Sequence, residues 1–148
     1  MKNKFKLGLH IDKINRIISR KIDAAVIRCI DGKITLSQAY VIDFISDTNE
    51  SRDIFQKDIE KEFDLKRSSV SLMLNNMEKN DLIKRVPVAK DARLKKIVLT
   101  EKSIELSKKI SDAIDSGENQ LAKDITPEEI EVFYKILGKI RNNLDDEF

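Results

Sequence analysis

Apolar residues recur at Ile11, Ile14, Ile18, Ile22 and Ala25, with Val26 and Cys29 continuing the stripe. This spacing predicts a long helix from residue 9 to about residue 31, roughly 33 Å at ~1.5 Å per residue. The glycine of "DGK" at 31–33 ends it. "TLSQ" at 35–38 has the form of a capping box and opens a second helix with Ala39, Ile42 and Ile45 apolar. "SDTNESRD" at 46–53 reads as a polar loop, and a short third helix at about 56–63 holds Ile59 and Phe63. After the tight turn "DLKRS", "RSSVSLMLNNMEKN" at 67–80 predicts a fourth helix whose inward face is Val70, Met73, Leu74 and Met77.

Residues 82–88 and 95–100 alternate loosely and contain β-branched residues. With the polar tip "AKDAR" between them they predict a β-hairpin, in which Pro87 removes a donor and turns its backbone outward. A fifth helix begins at Thr100 with Leu106, Ile110, Ile114 and Leu121 in register, and Gly117 reads as an interruption or bend. "TPEE" at 126–129 starts the last helix, which presents Ile130, Phe133, Tyr134, Leu137, Ile140 and Leu144.

The fourth helix has an unusual polar side. Solvated helix surfaces are normally stocked with long charged residues, which are good helix formers. Here the outward positions include Ser68, Ser69, Ser71, Asn75 and Asn76, with Leu72 among them. Helix, helix, turn, helix and basic hairpin is the order of a winged helix-turn-helix, whose second motif helix enters the major groove of DNA. Short hydroxyl and amide side chains let a helix approach the base edges, where each base pair has its own pattern of donors and acceptors. Asn75 is placed to pair with an adenine edge and Leu72 to pack on a thymine methyl. Taken singly, each polar residue is equally consistent with an idle surface, whereas an exposed leucine is either a contact or a packing defect.

Charge sharpens this picture. The net charge of +2 is unevenly spread: residues 66–96 carry nine basic and three acidic side chains, residues 101–148 seven basic and twelve acidic. A basic segment beside an acidic one is the footprint of a nucleic-acid-binding lobe next to a non-binding one. Lys66, Arg67 and Lys79 border the fourth helix. Arg85, Lys90, Arg93 and Lys95, with Lys84 and Lys96, supply the hairpin with phosphate or minor-groove contacts, and Asp91 reads as an orienting partner for a basic side chain.

The remaining composition mainly excludes. At 148 residues the chain suffices for one domain or two small lobes. No apolar run approaches the ~20 residues that cross a bilayer, and no signal peptide is evident, so a membrane partner is not expected. One cysteine, Cys29, forms no internal disulfide and fits a reducing cytoplasm; His10 is equally solitary, so neither metal nor other cofactor is implied. No nucleophile–base constellation points to an enzyme.

At this point residues 55–103, "FQKDIEKEFDLKRSSVSLMLNNMEKNDLIKRVPVAKDARLKKIVLTEKS", resemble the core of the MarR family of bacterial transcriptional regulators. The resemblance rests on the helix-turn-helix, "L-I-x-R" at 82–85, "D-x-R" at 91–93 and "LTEK" at 99–102, and long flanking helices extend it to nearly the whole chain. It implies a mainly α fold: a winged helix-turn-helix at 35–100 between dimerisation helices at 1–34 and 101–148. It also implies a homodimer on a pseudo-palindromic operator, Arg93 as the wing arginine of the minor groove with Asp91 positioning it, and repression relieved by a small-molecule effector or an oxidant.

There are departures from the family pattern. Asn80–Asp81 replaces the glycine before the wing, and asparagine tolerates the left-handed turn. Ser103 replaces a glycine with little consequence expected, and Asn76 stands where arginine is frequent, with Lys66 and Arg67 available to compensate.

Independently of the family, the outer helices carry apolar stripes longer than a winged core of ~65 residues can cover, which calls either for a second chain or for packing within one. Cys29, near the end of its helix and with no tyrosine close in sequence, reads as an inert thiol rather than a sensor, and His10 as a surface residue. Phe44, Tyr40 and Phe55 are either core aromatics or neighbours of an effector pocket; the sequence names no effector. The rival reading is a winged module that binds protein, with Leu72 as an apolar anchor.

Overall fold

The computed structural model describes residues 5–145, so the outermost residues of the two proposed dimerisation segments, 1–4 and 146–148, lie outside it. Residues up to Gly117 form one compact unit and those from Glu118 onward a second. In order, the helices are α1 (Leu7–Ile18), α2 (Ala24–Cys29), α3 (Leu36–Asn49), α4 (Gln56–Glu62) and α5 (Arg67–Lys79). Strands β1 (Ile83–Val88) and β2 (Asp91–Leu99) follow, then α6 (Glu101–Leu121) and α7 (Pro127–Asp145).

The predicted first helix is thus divided: a π-helical turn at Ser19–Asp23 joins α1 to α2. Such a turn inserts a residue into the helical repeat and rotates the faces on either side of it. Ile22 within it and Val26 beyond it enter the core, whereas Leu9, Ile11, Ile14 and Ile17 remain exposed in the single chain.

Helix α3 starts as predicted. Gln38 N–H donates to Thr35 Oγ1 (3.2 Å) and Thr35 N–H to Gln38 Oε1 (3.0 Å), which satisfies two otherwise orphaned donors. It continues through Asn49, so half of the predicted 46–53 loop is helical. The Ser46 hydroxyl meets Ser107 Oγ at 3.2 Å, giving the polar residues of that turn a partner on α6. The shortened loop then places Ile54, absent from the predicted inward positions, fully in the core. Its carbonyl accepts the Ile97 N–H of β2 at 2.8 Å.

Two non-glycine residues take the left-handed conformation at the turns flanking α5. Asp64 (φ 49°) follows α4, with Leu65 N–H reaching back to Glu60 O. After α5 it is Asp81 (φ 57°), not Asn80 (φ −92°), that reverses the chain. Leu82 N–H bonds Met77 O at 2.9 Å and buries its side chain, the hydrophobic closure of a Schellman motif. The Thr100 hydroxyl donates to Asp81 O (2.7 Å) and fixes that strained residue.

Ser103, expected to matter little, is fully buried and donates to Leu82 O at 2.6 Å, tying the first turn of α6 to the root of the hairpin. Gly117 does not break α6. A Cβ there would lie 2.7 Å from Ile22 Cγ1, so the glycine permits close approach to the π turn.

The core gathers Val26, Ala39, Val41, Ile42, Ile45, Ile54, Ile59, Val70, Leu74, Met77, Leu82, Ile83, Ile97 and Ile110. At its margin Ser111 Oγ donates to Asp43, whose carboxyl is raised above its usual 3.8 by burial, opposed by that hydrogen bond and reinforced by Asp47 and Asp115. A carboxyl raised on folding binds its proton more tightly in the native state, so folding is penalised as pH climbs through the native value. Asp43→Asn, which retains an acceptor for Ser111, should therefore raise the melting temperature at pH 7. The gain should vanish below about pH 3.8, the unfolded value; thermal melts across pH 3–8 measure it.

In the second unit, α7 opens on a full capping box: Glu129 N–H to Thr126 Oγ1 (3.2 Å) and Thr126 N–H to Glu129 Oε2 (2.9 Å). None of its residues is buried. Ile130, Leu137 and Ile140 are half-covered, while Val132, Phe133, Tyr134, Ile136 and Leu144 are exposed.

Candidate nucleic-acid interface

Helices α4 and α5 pack as a helix-turn-helix, and α5 lies against β1. Val70, Leu74 and Met77 are completely buried and Met73 half-buried, which settles the orientation of α5. Its other side exposes Arg67, Ser68, Ser69, Leu72, Asn75, Asn76 and Lys79, with Ser71 half-covered and Lys66 exposed at the N-cap. Leu72 is 74% exposed. Lys66 provides no side-chain cap, so the first backbone N–H groups of α5 point outward at the positive end of the helix.

The hairpin is tighter than predicted. Its reversal is Ala89–Lys90 alone, and Asp91 and Arg93 belong to β2. The register runs from Ile83↔Leu99 to Pro87↔Lys95, then jumps to Val88↔Asp91, leaving residues 92–94 without partners. Arg85 N–H leaves the ladder for Glu78 Oε2, so Pro87, two residues on, turns its nitrogen to the outer edge, and the longer strand bulges beside it. Arg93 rides on this bulge. Asp91 Oδ1 accepts the backbone N–H of Arg93 at 2.9 Å, so the aspartate orients the main chain that carries the arginine rather than a basic side chain.

The start of α4, the start of α5 and both strands enclose a cleft of about 550 Å³. Arg67, Arg85, Arg93 and Lys95 share its wall; Lys66, Lys79 and Lys90 are not on it. The nearby carboxylates are already engaged: Asp58 with Arg52 (3.1 Å) and the Phe55 N–H (2.8 Å), Glu60 with Gln56 (3.1 Å). Arg85 is half-buried; Glu78 accepts its backbone N–H at 3.2 Å, yet its Nη2 is buried with no hydrogen-bond partner among the described residues. A buried guanidinium nitrogen without an acceptor is costly, and an anion would relieve it.

Lys57 and Gln56 also line the cleft, and neither was evident from sequence because the fold, not the spacing, brings α4 beside the hairpin. Lys96 is instead paired with Asp53 at 3.1 Å. Of the candidate pocket aromatics, Phe55 lines this cleft, Phe44 packs edge-on against Phe63 (5.8 Å), and the Tyr40 hydroxyl donates to Asp23. The half-buried Cys29 thiol lies 3.4 Å from Ala25 O, and His10 is exposed. Among the described residues no group of three His, Cys, Asp or Glu side chains is placed to hold a metal, and no helix is long and apolar enough to cross a membrane.

A helix-turn-helix completed by a two-stranded basic wing defines a winged helix-turn-helix protein with the fold of transcription regulators, not of enzymes. Residues 33–94 match the MarR family model. The transcription regulator MarR from Oenococcus oeni PSU-1 is 28% identical, with a TM-score of 0.80 over 93% of this chain and 99% of that one. S. aureus MepR, solved in complex with DNA, is 26% identical with a TM-score of 0.80 over 97% of this chain and 99% of its own. The transcriptional regulator PA3341 (23% identity, TM-score 0.73, 95% and 99% covered) shares the fold. The winged core of the chain is therefore similar to that of the MarR family.

Proposed function

We propose that this protein is a homodimeric, sequence-specific binder of double-stranded DNA that represses transcription in the cytoplasm by occupying a pseudo-palindromic operator. Residues 35–100 bind DNA, the segments 1–34 and 101–148 dimerise, and a small-molecule effector of undetermined chemistry releases the complex.

The observation that carries the reading is the basic cleft, where Arg67, Arg85, Arg93 and Lys95 converge beside the uncapped start of α5 with too few free carboxylates to neutralise them. A phosphate backbone supplies acceptors for the exposed Arg67, Arg93 and Lys95. The outward serines and asparagines of α5 are then available to the base edges. DNA bound to S. aureus MepR supports this assignment. The exposed apolar stripes of α1 and α7 support a second copy as the cover for those helices.

The high exposure of Leu72 favours one rival, docking of a protein partner on the same face. Selection of duplexes from random DNA, followed by affinity measurements over a salt series, separates the two. A DNA binder enriches half-sites about one helical turn apart and loses roughly a thousandfold in affinity between about 50 and 200 mM salt. Failure to retain any duplex at low salt would leave the protein-docking reading.

A further inference from the structure

Gln38 is only 4% exposed, and both ends of its amide are committed. Its Oε1 accepts the Thr35 N–H of the α3 capping box, which leaves Nε2 facing α5, where it donates to Asn76 Oδ1 at 2.8 Å. A second donor converges on the same oxygen. Asn80 Nδ2 donates to the Asn76 backbone carbonyl (2.9 Å), a group that can only accept, and that bond fixes the Asn80 nitrogen 3.1 Å from Asn76 Oδ1. The two lone pairs of Asn76 Oδ1 are therefore filled from within the protein. Its Nδ2 is left pointing away from both donors, on an exposed residue, with no partner among the described residues.

The geometry points to Asn76 as a donor-only contact and to Gln38 as the residue that positions it. Resting on the DNA-binding reading above, this narrows what Asn76 can touch. Paired recognition of adenine needs one donor and one acceptor from the same amide, and Asn76 has no acceptor to give. Its targets are acceptor atoms: guanine N7 and O6, adenine N7 singly, thymine O4, or a phosphate oxygen. Asn75, one residue earlier, makes no side-chain hydrogen bond within the described protein and can present both ends of its amide. Adjacent asparagines on one helix thus have different recognition chemistry, set by a buried glutamine on another helix.

Gln38→Glu isolates the effect. Glutamate still accepts the Thr35 N–H in a capping box, but its other oxygen cannot donate. The Asn76 amide turns over to donate inward and presents Oδ1 to the outside, and the exposed Asn80 side chain gives up its 3.1 Å contact while keeping the Asn76 backbone carbonyl. Two measurements on the full-length protein test this. Without DNA, side-chain amide NMR should show Gln38 Nε2 protons protected and Asn76 Nδ2 protons freely exchanging in the native protein, with the Asn76 protons protected in Gln38→Glu. With a duplex library, Gln38→Glu should lose about fivefold in affinity, the worth of one hydrogen bond, at the same position that Asn76→Asp alters. Asn75→Ala should change a different position.

Exchanging Gln38 Nε2 protons, or a Gln38→Glu profile identical to the native one, would overturn the proposal. Native protein that binds no duplex but shows the expected amide protection would instead remove the DNA reading, and the Asn76 contact with it, while leaving the amide arrangement intact.

Discussion

Ile14→Asp and Phe133→Asp are each expected to turn the proposed dimer into monomers at micromolar concentration and to reduce binding to the proposed operator by at least a hundredfold. Both side chains are more than half exposed in the single chain, Ile14 in the first compact unit and Phe133 in the second. Apolar neighbours surround each: Ile11 and Ile17 on α1, Val132 and Ile136 on α7. A carboxylate placed at such a position in a subunit interface would be desolvated without a partner, at a cost of several kcal/mol. On the proposed reading the operator effect is larger than the local one, because two linked copies of α5 would gain a factor of about 10²–10⁴ from effective concentration, which a monomer forfeits. Sedimentation equilibrium reads the first consequence and duplex titration the second. Dimers that persist in both variants would place the interface elsewhere.

Arg93→Ala should weaken duplex binding about tenfold with little change in which sequences are preferred, and should flatten the salt dependence by about one unit per protomer in log–log slope. Arg93 is exposed on a bulge whose backbone Asp91 holds, so truncating its side chain disturbs no core contact and the melting temperature should not move. Fluorescence titrations over a salt series on a selected operator and a scrambled duplex measure both quantities. An affinity loss confined to the operator would make Arg93 a base reader rather than a backbone contact.

Features written in short-range chemistry were readable from the chain. The capping boxes at Thr35–Gln38 and Thr126–Glu129 close within four residues, so their spacing alone announced the starts of α3 and α7. The inward face of α5 was legible because three of its four residues, Val70, Leu74 and Met77, are buried at helical period. Features that depend on distant partners were not. Gly117 looked like a weak point in α6 until Ile22 appeared opposite it, and Ser103 looked neutral until its hydroxyl met Leu82 O. The Gln38–Asn76 bond joins residues 38 positions apart, beyond any local pattern. The hairpin was anticipated, but the bulge was not, because the unequal lengths of the two strands show only once their register is known. Candidate site residues could be named from the chain, but the convergence of Arg67, Arg93 and Lys95 with Arg85 on one cleft required the fold.

Pro87 has one more effect. β1 is the outer strand of a two-stranded ribbon, and an open strand edge is a template on which other chains can polymerise. An imino acid in that edge and a kink in the facing strand make the ribbon a poor template, and the exposed Lys84 adds charge repulsion between ribbons. An arm free to reach a ligand is thereby kept from sticking to its own kind.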